Sequence, residues 1–144
     1  MPAPDRALDF IRLLWAVDHQ LHSVSKRMVG RLGLTAPQRL AVRFIGRQPG
    51  IGVGALATLL HLDPGTVTGI VQRLEAAELV TRVRSTGDTR RLHLDLTSRG
   101  RSVNRLRKGT VEAAVRRTLS VVSAADAKAA ELVLRRLAAE LESE

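Results

Sequence analysis

The chain contains no cysteine, which excludes a disulfide framework and a thiol redox switch. No apolar run reaches the ~18 residues of a membrane span. Asp5, Arg6, Asp9 and Arg12 interrupt the first apolar residues, and no signal peptide is visible. The expectation is a soluble, cytoplasmic protein with no membrane partner. No nucleophile elbow, P-loop, glycine-rich dinucleotide fingerprint or metalloprotease helix occurs, so neither an enzyme nor a cofactor is expected. His19 and His22 lie three apart beside Asp18, but no further ligand is identifiable, and two polar residues near an interface are the better reading than a metal site. Internal repeats, linkers and low-complexity tracts are missing too, and 144 residues suit one domain.

Acidic residues are scarce in one region. The chain carries 23 Lys and Arg against 14 Asp and Glu, a formal charge of +9. Residues 1–72 hold 8 basic and 4 acidic side chains, residues 73–108 hold 10 and 4, and residues 109–144 hold 5 and 6. Positive charge therefore peaks over residues 73–108, the footprint expected where a polyanion sits.

That region follows a strongly patterned stretch. In LDPGTVTGIVQRLE, Val67, Ile70, Val71 and Leu74 mark one helix face. Asp63 suits an N-cap and Pro64 the first helical position. The opposite face presents Thr66, Thr68, Gly69, Gln72 and Arg73, short polar groups that can approach another surface and form hydrogen bonds. Upstream, Val53, Leu56, Ala57 and Leu60 predict a short helix, separated only by His61-Leu62-Asp63. Such a pair is a helix-turn-helix. Downstream, Leu79 to Arg84 and Arg91 to Leu96 read as strands, with Leu92, Leu94 and Leu96 alternating against Arg91, His93 and Asp95. Helix, turn, helix and hairpin in that order make a winged helix-turn-helix.

Helices are predicted at both ends. From Asp5 to Leu32, the residues Ala7, Phe10, Leu14, Val17, Leu21, Val24 and Met28 form a heptad seam, widened by Ile11, Leu13 and Trp15. A helix of that length runs ~40 Å, more than a small domain can cover, so a second copy of the chain is the expected cover. Gly33 fits a helix stop, and Thr35 with Gln38 a capping box for a helix containing Pro37 in its first turn. Leu40, Val42, Phe44 and Ile45 supply that helix's core face. Thr97 is the expected cap of a helix carrying Arg99, Arg101, Arg105, Arg107 and Lys108, with Val103 and Leu106 inward and a bend at Gly109. Ser123 and Asp126 open a last helix with an apolar stripe of Ala130, Val133, Leu137 and Leu141.

Three segments resemble the MarR family of bacterial transcription regulators: LTAPQRLAVRFI, LATLLHLDPGTVTGIVQRLEAAELVTR and DTRRLHLDLTSRG. The last is similar to the family's wing signature, Asp-x-Arg followed by an alternating strand and Leu-Thr. Against the family pattern, His61 stands where Gly is frequent, Gly69 where a longer basic side chain is common, and Gly54 in place of a capping hydroxyl. The resemblance implies a mainly α fold with a β-hairpin wing, a winged helix-turn-helix lobe over residues 34–97, and dimerisation helices over residues 5–32 and 98–144. It implies a homodimer that binds double-stranded DNA at a pseudo-palindromic operator and regulates transcription as a repressor. It also implies a small aromatic or anionic effector, for which Trp15, Arg12 and Arg43 are the candidate contacts, although packing is the commoner use of a tryptophan.

Pro64, Gly65, Thr66, Thr68, Gln72 and Arg73 are the expected DNA-contacting residues of the recognition helix, since hydroxyls and arginine position on phosphates while Gln and Arg read base edges. Arg84, Arg90 and Arg91 are the expected wing contacts, suited to a narrow minor groove. The resemblance gives Asp88 the task of orienting the wing through Arg90. Two rival functions remain. A protein-interaction module predicts a neutral or apolar recognition face without a charge peak, the opposite of this sequence. A sequence-independent architectural DNA-binding protein is separable only by its specificity ratio.

Overall fold

In the computed structural model, residues 4–84 and 92–144 are described. Among them are seven helices and a two-stranded antiparallel sheet: α1 (Arg6–Leu32), α2 (Ala36–Arg47), α3 (Val53–Leu60), α4 (Pro64–Ala76), β1 (Val80–Arg84), β2 (Leu92–Leu96), α5 (Ser98–Arg105), α6 (Val111–Val121) and α7 (Ala124–Glu142). They fall into two compact units, Met1–Thr110 and Val111–Glu144.

Local chemistry sets most boundaries. Asp5 caps α1 by accepting from the amides of Ala7 and Leu8, and Gly33 ends it in the left-handed region at φ 71. Thr35 and Gln38 form the reciprocal capping box that starts α2. Asp63 caps α4, Thr97 caps α5 and Ser123 caps α7. At the α3 N-terminus the cap is Gly52, with no side-chain hydrogen bond. The missing capping side chain therefore belongs to Gly52, not to Gly54 as the family pattern suggested; Gly54 lies inside the helix.

The core of the first unit lies between α2, α3, α4 and the hairpin. Val67, Ile70, Val71 and Leu74 of α4 are all buried, with Leu56 and Ala57 of α3 and Val42 and Ile45 of α2 against them. Leu94 and Leu96 close the core from β2. The α2 face differs from the expected one by a small rotation. Leu40 is 40% exposed, whereas Ala41 and Arg39 point inward.

Arg39 also accounts for the largest departure from the sequence pattern. A helix was expected to run from Ser98 past Lys108, bending at Gly109. Instead α5 stops at Arg105, Leu106 is extended at φ -66 and ψ 136, and Gly109 sits at φ 77 before α6 begins. The Arg39 guanidinium donates to the carbonyls of Val103, Asn104 and Leu106, taking up acceptors that a continuing helix would satisfy internally. Leu106 consequently stays 47% exposed, while Val103 packs on the core as expected.

In the C-terminal part of α1 Met28 is buried and Val24 and Leu32 are half-buried. Further towards the N-terminus Leu8, Phe10, Leu13, Trp15, Val17 and Leu21 are exposed. In the second unit, α7 leaves Val133 and Leu141 exposed on its apolar stripe.

Candidate nucleic-acid interface

The recognition helix is held from one side and open on the other. Burial of Val67, Ile70, Val71 and Leu74 fixes the rotation of α4 about its axis. Pro64, Gly65, Thr66, Gln72 and Arg73 are exposed as a result, with Thr68 and Gly69 half-buried. The turn before it is tight because His61 ends α3 in the left-handed region at φ 53, a conformation that histidine adopts more readily than most non-glycine residues. That explains how His61 occupies a position where glycine is usual.

At the start of α4, the two carboxylate oxygens of Asp63 have separate partners. Oδ2 accepts from the Thr66 amide at 3.0 Å, and Oδ1 accepts from the Thr66 hydroxyl at 2.6 Å. These bonds, the hydroxyl's first, hold the Asp63 carboxyl below its ordinary pKa. One turn on, the Thr68 hydroxyl donates to the Pro64 carbonyl at 2.8 Å. Gly69 faces open space: a Cβ there would meet nothing within 4 Å.

The hairpin beside it is well anchored at its base. Val80 pairs with Leu96 and Arg84 with Leu92 at the ends of the register. A bridge between Ile51 and Leu94 adds the loop before α3 to the same sheet. Two side chains of β2 reinforce it: a ring nitrogen of His93 lies 2.5 Å from the Gly50 carbonyl, and Asp95 accepts from the Gly50 amide at 3.1 Å. The alternation of β2 gave His93 and Asp95 as merely outward-facing. Their partner lies more than forty positions away, so nothing local pointed to this bracing. Arg84 ends β1, and its side chain is outside what is described. Asp88, Arg90 and Arg91, the proposed wing contacts, lie outside the described residues.

Arg82 was not singled out by the sequence. Its Nε meets Glu75 Oε1 at 2.8 Å, linking α4 to β1. A partly exposed pair of this kind contributes only ~0–1 kcal/mol, but it removes one cation of the basic segment from competition for phosphate. The Leu-Thr-x-x-Gly run behind the wing has a packing role. The Thr97 hydroxyl donates to the Glu78 carbonyl at 2.6 Å and accepts from the Gly100 amide at 3.0 Å. Gly100 then lies so close to Leu79 that a Cβ would fall 2.0 Å from its carbonyl oxygen.

The three candidate effector contacts are not gathered into an enclosed pocket within one chain. Trp15 is 70% exposed on α1, and Arg12 is exposed as well. Arg43 donates to the Asn104 side chain at 2.8 Å. His22 turns back to its own helix, its ring nitrogen 2.8 Å from the Asp18 carbonyl.

An exposed polar face on a tightly capped second helix, flanked by a braced two-stranded hairpin, defines a winged helix-turn-helix protein. Comparison with known proteins agrees. The sequence model of the MarR family matches residues 34–92. An HTH-type transcriptional repressor of Mycobacterium tuberculosis is 29% identical over 125 residues, covering 87% of this chain and 90% of that protein. The organic hydroperoxide resistance transcriptional regulator of Bacillus subtilis is 33% identical over 88 residues, 61% of this chain and 60% of that one. Among solved structures, FabT of Streptococcus pneumoniae in complex with DNA superposes with a TM-score of 0.72 at 26% identity, covering 96% of this chain and 99% of the other. Over residues 34–92 the chain is similar to the MarR family, and its fold is similar to that of a DNA-bound regulator. Among its described residues, no helix is long and apolar enough to cross a membrane.

Proposed function

We propose that the protein is a sequence-specific, double-stranded-DNA-binding transcription regulator that acts as a homodimeric repressor. The observation that carries this reading is α4 itself: one face wholly buried, the other exposing Thr66, Gln72 and Arg73 at the threshold of the most basic segment of the chain, residues 73–108. A helix fixed in rotation and presented beside a positive surface suits docking in a major groove. The repressor assignment draws on the naming of the mycobacterial relative. Relatives named as regulators also support a binding protein over an enzyme. Release by a small aromatic or anionic effector is the finer part of the reading and rests on the resemblance to the MarR family.

The dimer follows from surface left uncovered. Phe10, Leu13, Trp15 and Val17 on α1, and separately Val133 and Leu141 on α7, are large apolar side chains in water, more than isolated domains usually leave exposed together. A second copy of the chain is the natural cover for these helices. Sedimentation at micromolar concentration is expected to give a dimer, and a stable monomer there would refute the assembly.

A two-fold dimer sets two α4 helices into successive major grooves, about one helical turn apart. Selection from random duplex DNA is therefore expected to return a pseudo-palindrome. Replacing Thr68 and Gln72 together by Ala should relax that preference more than it lowers affinity for random DNA. Only asymmetric single half-sites in the selected pool would contradict the docking.

A further inference from the structure

The hydroxyl protons at the start of α4 are already committed. Thr66 gives its proton to Asp63 at 2.6 Å, and Thr68 gives its own to the Pro64 carbonyl at 2.8 Å. A hydroxyl has one proton and two lone pairs. Both threonines thus turn only acceptors and a methyl group outward. Phosphate oxygens gain nothing from such a surface, and neither do guanine O6 and N7 or thymine O4, all of which are acceptors. The donors available in the major groove are the amino groups of adenine N6 and cytosine N4.

The two threonines differ in how firmly this polarity is set. Thr68 is bonded to a main-chain carbonyl, which can only accept. Thr66 is bonded to a side chain, so its polarity depends on which residue stands at position 63. Asn and Ser cap helices about as well as Asp does, and neither would set a negative charge at the edge of a DNA-facing surface. An ionised carboxylate is the one common cap that can only accept. An aspartate carboxyl is ionised at neutral pH in any case, and the bonds to Thr66 lower its pKa further.

We infer that Asp63 is a specificity-setting residue: by holding the Thr66 proton, it makes the first turn of α4 select an amino-bearing base, adenine or cytosine, on the strand that Thr66 faces. This rests on the DNA-binding reading above. Asp63 acts through Thr66 and is a positioning residue, with no base contact of its own required.

The test is selection from random duplex DNA with the wild-type protein and with Asp63→Asn, Thr66→Val and Thr68→Val. Asparagine keeps the cap through its carbonyl oxygen, but its amide donates to Thr66 Oγ1 and frees the hydroxyl proton to point outward. Wild type is expected to enrich adenine or cytosine at one position of each half-site. Asp63→Asn should move that position to guanine or thymine by about fivefold or more, the lower end of direct base discrimination. Positions opposite Thr68 should not move, because a main-chain carbonyl sets its polarity. Thr66→Val should lose the preference at the Asp63-dependent position alone. That variant leaves the backbone cap intact, so it carries the test should Asp63→Asn fold poorly. Melting temperatures separate a destabilised cap from a changed preference, since loss of structure weakens every position together. A wild-type motif unchanged by both Asp63→Asn and Thr66→Val overturns this inference alone. A wild-type pool without any enriched sequence overturns the DNA reading and this inference with it.

Discussion

Replacing Arg39 by methionine is expected to cost about 1–3 kcal/mol of folding stability, a sizeable share of what a small domain has to lose. Arg39 is 1% exposed and comes from α2, yet its guanidinium serves the far end of α5, where the carbonyls of Val103, Asn104 and Leu106 converge. A cation at a helix C-terminus is favoured by the helix dipole. Here it also supplies further donors to the carbonyls at the helix end, of which Val103 also accepts from the Leu106 amide and Asn104 and Leu106 also accept from Arg107. Methionine preserves the length and the apolar stem of the side chain, so the loss isolates the donors. Each deprived carbonyl that stays out of water costs ~1–3 kcal/mol. Arg39→Lys should rescue little, because one ammonium cannot reproduce a planar fork aimed at several oxygens. Urea denaturation checks both variants, and a loss below about 1 kcal/mol for Arg39→Met would contradict the role.

Glycine-to-alanine changes at two helical positions should have opposite signs. Helix propensity alone favours alanine at both by roughly 0.5–1 kcal/mol. At Gly69 nothing lies within 4 Å of the added Cβ, so propensity decides and Gly69→Ala should stabilise by about that amount. At Gly100 the added Cβ falls 2.0 Å from the Leu79 carbonyl oxygen and 3.0 Å from the carbon behind it. Both are backbone atoms, tied in place because Leu79 also accepts from the Thr97 amide at 3.0 Å. The contact can be relieved only by parting α5 from the strand pair. Gly100→Ala should therefore lose about 3 kcal/mol or more, the upper range of overpacking costs. Thermal melts of the two variants side by side provide the measurement. Destabilisation by Gly69→Ala, or tolerance of Gly100→Ala, would show that the packing argument is wrong.

The sequence was most legible where its physics is local. A cap and its helix lie within four residues, so Thr35 with Gln38, Asp63 with Pro64, Thr97 and Ser123 could be recognised, and each starts a helix. The apolar face of α4 likewise needs only its own periodicity. What was missed depends on residues far apart in the chain. Arg39 looks like one more surface cation until α5 is brought against it, and the end of α5 at Arg105 cannot be read without Arg39. His93 and Asp95 look solvent-facing until the Gly50 loop joins β2. At the interface, residue types in the recognition helix were readable, but the direction of each hydroxyl proton was not. That depends on whether the nearest acceptor is a carboxylate or a carbonyl, which is a matter of side-chain placement.

The single tryptophan on α1 gives the protein an intrinsic optical reporter. There is no tyrosine to share or transfer excitation, so the near-ultraviolet emission comes essentially from the Trp15 indole, whose spectrum shifts to the red in water and to the blue when covered. With Trp15 open to solvent in one chain, dilution that separates two copies and any small molecule that settles against α1 both act on the same chromophore. Unlabelled protein in a cuvette can thus report on α1, while the recognition helix, which has no aromatic residue, remains dark.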